Sequence, residues 1–258
     1  MSKLAQDRMS DLVIVTDDGP IRTIRMDRPD KKNALTVPMY ETMAAAIETA
    51  AGAADLRCIV IAGAPGAFCA GNDLQDFLHA VANAAGLSAP LLRFLHVLAR
   101  NEKPLVAAVS GLAVGIGTTM LLHCDHVVAG KDALFSTPFV HLGLVPEAAS
   151  SLLAPQRLGH ARAFSLLAMG RPLDAAEARA CGIVNTVVAP AEVEPEAKKA
   201  ALQIASLPAK ALAVTRRLLR GPPDDVIARI DQEAELFKAQ LGSPEARAAF
   251  EAFLGRKK

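Results

Sequence analysis

Short apolar segments of strand length recur along the chain, and two of them are followed by a glycine-containing loop and then by helix-type sequence. Arg57–Ala62 and Pro104–Val109 are dominated by Val, Ile and Ala. Such runs are typical of strands that are buried on both faces of a sheet. Because parallel neighbours need a long crossover connection, the repeated order of strand, loop and helix favours a parallel sheet. The sequence therefore predicts an α/β fold.

Composition fits this class and narrows the range of partners. Of the 258 residues, 52% are hydrophobic, with no Trp and one Tyr, as is typical of helices packed on a buried sheet. The net charge is +1, so no long-range field favours nucleic acid or an anionic membrane. The sequence shows neither an apolar run of membrane-spanning length nor a signal-peptide core in residues 1–10. We therefore expect a cytoplasmic protein that binds neither nucleic acid nor membrane.

The cysteines predict a reducing compartment and no metal site. Cys58, Cys69, Cys124 and Cys181 are widely spaced, and no two of them form a CxxC pair. Each lies near apolar residues, as buried reduced thiols do.

Further elements are predicted around the parallel sheet. A hairpin is predicted within residues 12–26. A helix is predicted after Thr36, which can serve as its N-cap, and another over residues 74–100 with an interruption. The predicted C-terminal helices span residues 193–207, 209–219, 224–240 and 244–254.

A boundary is predicted near Pro190, between a core of residues 1–190 and a helical segment of residues 191–258. The helical segment carries an apolar row at helical spacing, formed by Val226, Ile230, Ala234 and Phe237. Such a row exceeds what a peripheral pair of helices needs, so it indicates contacts between subunits.

Two glycine-containing loops carry the first functional signal. Ala67–Leu74 and Ser110–Gly117 each follow a predicted strand and lead towards a helix, so each offers backbone N–H groups that lack a helical partner. Two converging N–H groups can stabilise an oxyanion. Alternatively, the glycines only permit tight turns, which is the more common use of such loops taken singly.

Several segments, in this order and spacing, closely resemble the crotonase, or enoyl-CoA hydratase/isomerase, family over nearly the whole chain. They are Arg28–Thr36, Ala67–Leu74, Gly111–Gly117, Cys124–Asp125, Phe135–Pro138 and His141–Gly143. The resemblance implies a crotonase-type fold of repeated β-β-α units with a helical trimerisation region at the C-terminus. It also implies an acyl-CoA substrate, no further cofactor, and a homotrimer or a dimer of trimers.

The resemblance assigns roles to residues in both loops. The N–H groups of Asn72 and Ile116 would hold the thioester oxygen, each donor contributing about 3 kcal/mol to the transition state. Contacts to CoA would come from Ala34, Ala70, Asn72, Asp73, Leu74 and Ile116.

Some binding roles stay open between two interpretations. Lys31 and Lys32 could meet phosphates or form a solvated charge pair. Asp73 could contact substrate, although a helix cap is favoured. The resemblance also places Phe250 within reach of a neighbouring subunit's site.

The position of the base separates the reactions of this family. Hydratases of the family use two glutamates, and the matching positions here hold Thr119 and Phe139, which cannot accept a proton at neutral pH. Glu147 instead occupies the position of the single catalytic acid of family isomerases. Without the resemblance, a carboxylate after Pro146 would be taken as a helix-start residue.

These features predict a 3-enoyl-CoA to 2-trans-enoyl-CoA isomerase of fatty acid β-oxidation. One base can move a proton from C2 to C4. Two alternatives remain: a hydratase or another acyl-CoA reaction of the family, and a CoA-binding scaffold without catalysis.

Overall fold

The computed structural model describes residues 11–73, 75–76 and 86–255, and it contains two sheets. The larger sheet has the strand order β1-β2-β3-β5-β7-β10, and the smaller has the order β4-β6-β8-β9. The strands are β1 (Val13–Asp18), β2 (Ile21–Met26), β3 (Cys58–Gly63), β4 (Ala67–Cys69), β5 (Leu105–Val109), β6 (Leu112–Val114), β7 (His126–Gly130), β8 (Leu134–Ser136), β9 (Leu173–Asp174) and β10 (Thr186–Val188).

Ten α-helices surround the sheets in the described ranges. They are α1 (Val37–Gly52), α2 (Ala89–Arg100), α3 (Ile116–Thr119), α4 (Ser150–Leu158), α5 (His160–Leu167), α6 (Ala175–Ala180), α7 (Val193–Ser206), α8 (Ala209–Arg220), α9 (Pro223–Leu241) and α10 (Pro244–Gly255). In this part of the chain, every helix is too short or too polar to cross a bilayer.

The central strands of the larger sheet, β3, β5 and β7, are buried on both faces, which explains their continuous apolar sequences. In β3, Ile59 and Ile61 belong to the main core, whereas Val60 belongs to a second cluster. Alternate residues of a strand point to opposite faces, so neighbours in sequence enter different cores. The second cluster is covered by α7, which contributes Val193 and Ala197.

From β3 to β8, consecutive strands alternate between the two sheets. β3, β5 and β7 are parallel neighbours in the larger sheet, and the strands that follow them, β4, β6 and β8, are parallel neighbours in the smaller one. Each strand pair is thus one turn of a repeated unit, as the sequence predicted. The loops after β4 and β6 therefore leave adjacent strands in the same direction.

The predicted hairpin is confirmed, since β1 and β2 pair antiparallel. The predicted N-cap position at Thr36 is confirmed. Thr36 occupies the cap position without a side-chain hydrogen bond. The carboxylate of Asp76 accepts the Val37 N–H instead, at 3.0 Å.

The apolar row of the C-terminal segment is buried within this chain. Ile230 is 1% exposed and Phe237 is 2% exposed. Both belong to the main core, as does Leu95 of α2, and His96 of α2 lies 2.7 Å from Asp231 of α9. The row therefore gives no support to the predicted contacts between subunits, and the trimer stays a prediction.

Candidate active site

Backbone groups of the loops after β4 and β6 lie in direct contact. Gly71 has φ +94°, and a Cβ there would lie 3.1 Å from the carbonyl oxygen of Val114. A Cβ on Gly117 would lie 2.6 Å from the carbonyl oxygen of Cys69, closer than real Cβ contacts come. Glycine is favoured at Gly71 because residues with a side chain rarely adopt this φ, and at Gly117 because a Cβ would clash with the backbone of β4.

The N–H of Asn72 is left out of the backbone ladder. Leu35 and Asn72 form an isolated parallel bridge. In this bridge, the Leu35 N–H donates to Gly71 and the Asp73 N–H donates to Leu35, each at 2.8 Å. A parallel bridge of this kind uses the groups on either side of the bridging residue, so the N–H of Asn72 points to the other side.

The N–H of Ile116 is free for a different reason. Ile116 is the first residue of α3, and the first N–H groups of a helix have no partner within it. In the described ranges, neither this N–H nor that of Asn72 has a hydrogen-bond acceptor. Ile116 and Asn72 both line the same cavity. Two free backbone donors at the ends of adjacent parallel strands can hold a developing negative charge on oxygen.

The side chain of Asn72 is also fixed. Its Oδ1 atom accepts a hydrogen bond from the hydroxyl of Tyr40. Tyr40 is 2% exposed, and its ring packs on Phe94 with 5.5 Å between centroids. The first loop is therefore anchored to α1 and α2 as well as to the sheet.

The early segment that follows β2 is fastened to the first loop. The Asn33 amide donates to the carbonyl of Ala67 at 2.7 Å and accepts the Arg28 N–H at 2.8 Å. Asn33 has φ +56°, a conformation that Asn adopts more readily than most residues. Arg28 also donates to the carboxylate of Asp73 at 2.7 Å. These bonds place the segment along one wall of the cavity.

The cavity has a volume of about 1100 Å³, with an apolar interior and a charged mouth. This volume lies at the upper end of the range common for small-ligand sites, ~300 to ~1,000 Å³. Its apolar lining includes Val114, Ile116, Phe139, Leu144, Phe237 and Phe250. Its polar lining includes Arg28, Asp30, Lys31, Lys32, Gln75 and His141.

The predicted CoA-contact residues gather at this cavity. Those that line it are Ala34, Ala70, Asn72, Asp73 and Ile116. Leu74 lies outside the described residues. Lys31 and Lys32 are exposed at the mouth, a position that fits either of the roles considered for them. Asp73 does act as a cap, because its Oδ1 atom accepts the Gln75 N–H at 2.9 Å.

Glu147 is buried close to the second loop. It is 1% exposed, and its Oε1 atom accepts a hydrogen bond from the Thr119 hydroxyl of α3. Its Oε2 atom is buried and has no hydrogen-bond partner in the described residues. The carboxylate does not point into solvent, and it contributes no surface to the cavity.

The environment of Glu147 favours its protonated form. Burial raises the pKa of Glu147 from 4.5 to about 8; the hydrogen bond from Thr119 opposes this rise, and the charge of Glu233 adds to it. A carboxyl group that titrates near neutral pH can both accept and return a proton. Perturbation of this kind is common at catalytic sites, although buried structural groups show it too.

The turn after Glu147 has an unusual backbone. Ala148 and Ala149 have φ angles of +61° and +54°. Each left-handed alanine costs roughly 1–2 kcal/mol, so the turn persists only because its surroundings fix it. One contact is the ring nitrogen of His123, 2.8 Å from the Ala148 carbonyl oxygen. Burial lowers the pKa of His123 to about 4, which keeps this ring neutral.

The two positions that hold glutamates in hydratases carry no acid in this structure either. Phe139 is 7% exposed and forms part of the apolar lining. Thr119 donates to Glu147, so the residue at one of these two positions contacts the carboxylate at the isomerase position. Sequence reasoning identified Thr119 only as unable to accept a proton and missed this contact.

The C-terminal helices contribute to the same site. Phe250 was expected to reach a neighbouring subunit, yet it is 4% exposed within this chain and lines the chain's own cavity with Phe237. Glu233 of α9, which the sequence did not single out, lies near Glu147 and is 4% exposed. No local motif marks this glutamate.

The chain matches the family model described as enoyl-CoA hydratase/isomerase over residues 17–258. Enoyl-CoA delta isomerase 2 of Rattus norvegicus is 36% identical, covering 95% of this chain but 64% of that enzyme, so the chain spans slightly less than two thirds of that relative. A probable enoyl-CoA hydratase of Rhizobium meliloti is 30% identical, covering 95% of this chain and 96% of that protein. The solved structure of Pseudomonas aeruginosa OdaA has a TM-score of 0.90 and 41% identity, covering 95% and 99% of the two chains.

Proposed function

Because the chain belongs to the enoyl-CoA hydratase/isomerase family, we propose that it converts a 3-enoyl-CoA into the 2-trans-enoyl-CoA, as in fatty acid β-oxidation. The family and the crotonase-type α/β fold predicted from the sequence are confirmed. The observation that carries the narrower proposal is the single carboxylate. Glu147 is buried next to the second loop, while Thr119 and Phe139 occupy the positions where a hydratase needs acids.

The reaction needs one base and one site for negative charge. Glu147, once ionised, takes the proton from C2, and the electron pair of that C–H bond delocalises onto the thioester oxygen. The N–H groups of Asn72 and Ile116 stabilise the resulting enolate. The C3=C4 π pair then takes the proton from Glu147 to form the new C4–H bond, the C1=C2 pair of the enolate becomes the C2=C3 double bond, and the thioester carbonyl re-forms. No water is consumed, and no redox cofactor or metal takes part.

Glu147 must meet the acyl chain for this to happen. Its carboxylate contributes no surface to the cavity, so the acyl group must displace the side chains that cover it. Oε2 can accept the proton because no hydrogen bond from the described residues occupies it. The CoA portion would run along Ala34, Ala70 and Asp73 towards the charged mouth. A homotrimer or a dimer of trimers, with contacts from residues 191–258, completes the proposal.

The decisive experiment offers 3-enoyl-CoA and 2-enoyl-CoA separately to three proteins. These are the wild type, Glu147→Gln, and a control, Glu235→Gln, which neutralises an exposed glutamate of α9. An isomerase converts the first substrate and hydrates the second slowly or not at all. Glu147→Gln should reduce isomerisation at least ~100-fold, the usual contribution of a general base, and Glu235→Gln should not.

The other outcomes separate the alternatives. Hydration of 2-enoyl-CoA that survives Glu147→Gln would favour a hydratase with a different base, in keeping with the Rhizobium relative. CoA binding without turnover of either substrate would favour a scaffold.

A further inference from the structure

A second buried carboxylate holds the turn that carries Glu147. The Oε1 atom of Glu233 accepts the Ser151 N–H at 2.9 Å, and its Oε2 atom is buried with no hydrogen-bond partner in the described part of the chain. The Ser150 N–H donates to the carbonyl of Glu147 at 3.0 Å. Glu147 and the residue that Glu233 binds are therefore the two ends of one short turn.

This turn cannot keep its shape unaided. Its two left-handed alanines, Ala148 and Ala149, lie between Glu147 and the backbone N–H that Glu233 accepts. His123 fixes the carbonyl of Ala148 from one side, and Glu233 of α9 fixes the far end. Loss of the second anchor would let the backbone relax and would move Glu147 with it.

We propose that Glu233 is a positioning residue for Glu147: it fixes the turn that carries the base, and it places a second negative charge beside that base. The inference rests on the proposed function, which gives Glu147 its role as the base. It does not require Glu233 to touch the substrate.

The other groups around this pair cannot replace that charge. Besides Glu233, the groups of the described residues that face Glu147 are the phenol of Tyr40, the thiol of Cys69 and the hydroxyl of Thr119. Burial raises the pKa of the phenol well above its ordinary value and that of the thiol to about 12, so both are neutral near pH 7. Burial raises the pKa of Glu233 as well, whereas its hydrogen bonds with Ser151 and the positive charge of Arg229 oppose that rise and favour the ionised carboxylate. Arg229 also donates to the Ser151 hydroxyl at 3.1 Å.

Two substitutions separate the effect of the Glu233 charge from the effect of its side-chain length. Glu233→Gln keeps an oxygen that can accept the Ser151 N–H but removes the charge. Glu233→Asp keeps the charge but shortens the side chain by one methylene, so it withdraws from Ser151. Glu235→Gln, at an exposed position of the same helix, is the matched control.

The first measurement is the pH dependence of kcat/KM for 3-enoyl-CoA. Activity of the wild type should rise with pH, because the base must be ionised, with a midpoint near about 8. In Glu233→Gln the midpoint should shift to lower pH, and in Glu235→Gln it should stay. In Glu233→Asp kcat should fall about 10- to 100-fold at unchanged KM, as expected for a misplaced base.

The second measurement does not depend on activity. Carbon-13 NMR of labelled glutamate carboxyls, with the Glu147 signal identified by its loss in Glu147→Gln, gives the titration midpoint of Glu147 directly. A midpoint that falls in Glu233→Gln supports the inference even if 3-enoyl-CoA is not turned over, in which case only the proposed function fails. An unchanged or higher midpoint overturns the inference. If Glu233→Gln does not fold, full kcat in Glu233→Asp overturns it.

Discussion

Replacing Glu147 with Gln should make the folded protein more stable relative to wild type as the pH rises. A glutamate in the unfolded chain loses its proton near its ordinary pKa of 4.5, whereas burial holds the pKa of Glu147 in the folded protein at about 8. Between these values the folded state binds more protons than the unfolded state. The free energy of unfolding of the wild type therefore falls as pH rises through this window. Because Gln does not titrate, the free energy of unfolding of Glu147→Gln does not decrease in this way.

The size of the effect follows from the two pKa values. Each pKa unit corresponds to ~1.4 kcal/mol, so the rise from 4.5 to about 8 sets an upper limit of ~5 kcal/mol above pH 8. By the same linkage the difference at pH 7 is ~3 kcal/mol, and near pH 4 it vanishes. The extra N–H₂ group of Gln shifts the whole curve by a constant, so the pH-dependent part is the quantity to compare.

Urea denaturation at fixed protein concentration, from about pH 5 to pH 9, measures this difference. Glu235→Gln provides the control, since it removes an equal charge at an exposed position. Curves for wild type and Glu147→Gln that run parallel across the whole range would refute the reasoning, because they would mean that Glu147 titrates alike in both states.

Two further changes probe the loops and the hydrogen bond to the base. Gly117→Ala should destabilise by about 2 kcal/mol or more, because its Cβ would lie 2.6 Å from the carbonyl oxygen of Cys69. Gly52→Ala, which meets no atom within 4 Å, should be neutral or stabilising in the same urea assay. Thr119→Val removes the donor that lowers the pKa of Glu147, so the midpoint of the pH–rate profile should move to higher pH, and Thr119→Ser should match wild type.

Patterns local in sequence were sufficient for most of the fold. The apolar alternation that places Val60 and Ile61 in different cores follows from strand geometry, and the hairpin follows from its turn residues. The cap of α1 could not be predicted in the same way. Thr36 has the right residue type and lies at the cap position, but its side chain makes no cap hydrogen bond, and Pro38 has no N–H to donate to it. The Val37 N–H is accepted by Asp76, which is distant in sequence, so this contact depends on the tertiary structure.

In the candidate site too, some residues could be predicted from local sequence patterns and others depend on tertiary packing. The loops that present Asn72 and Ile116 could be identified because their glycines follow predicted strands in the sequence. Glu233 was not, because an acidic residue on a C-terminal helix resembles any solvent-facing glutamate until the helix is packed. The apolar row beside it was read as a surface between subunits for the same reason, since a pattern shows that a face is buried but not by what.

The C-terminal helices therefore contribute to the cavity and to the surroundings of Glu147. Burying a carboxylate and two left-handed alanines in one turn is unfavourable, so contacts from outside the turn must offset it. His123 supplies one such contact, and Glu233 supplies the other from α9. Helix α9 also adds Phe237 to the cavity lining, and α10 adds Phe250. A change that loosens α9 should thus alter the ionisation of the base and the shape of the acyl pocket together, even though α9 contains none of the proposed catalytic residues.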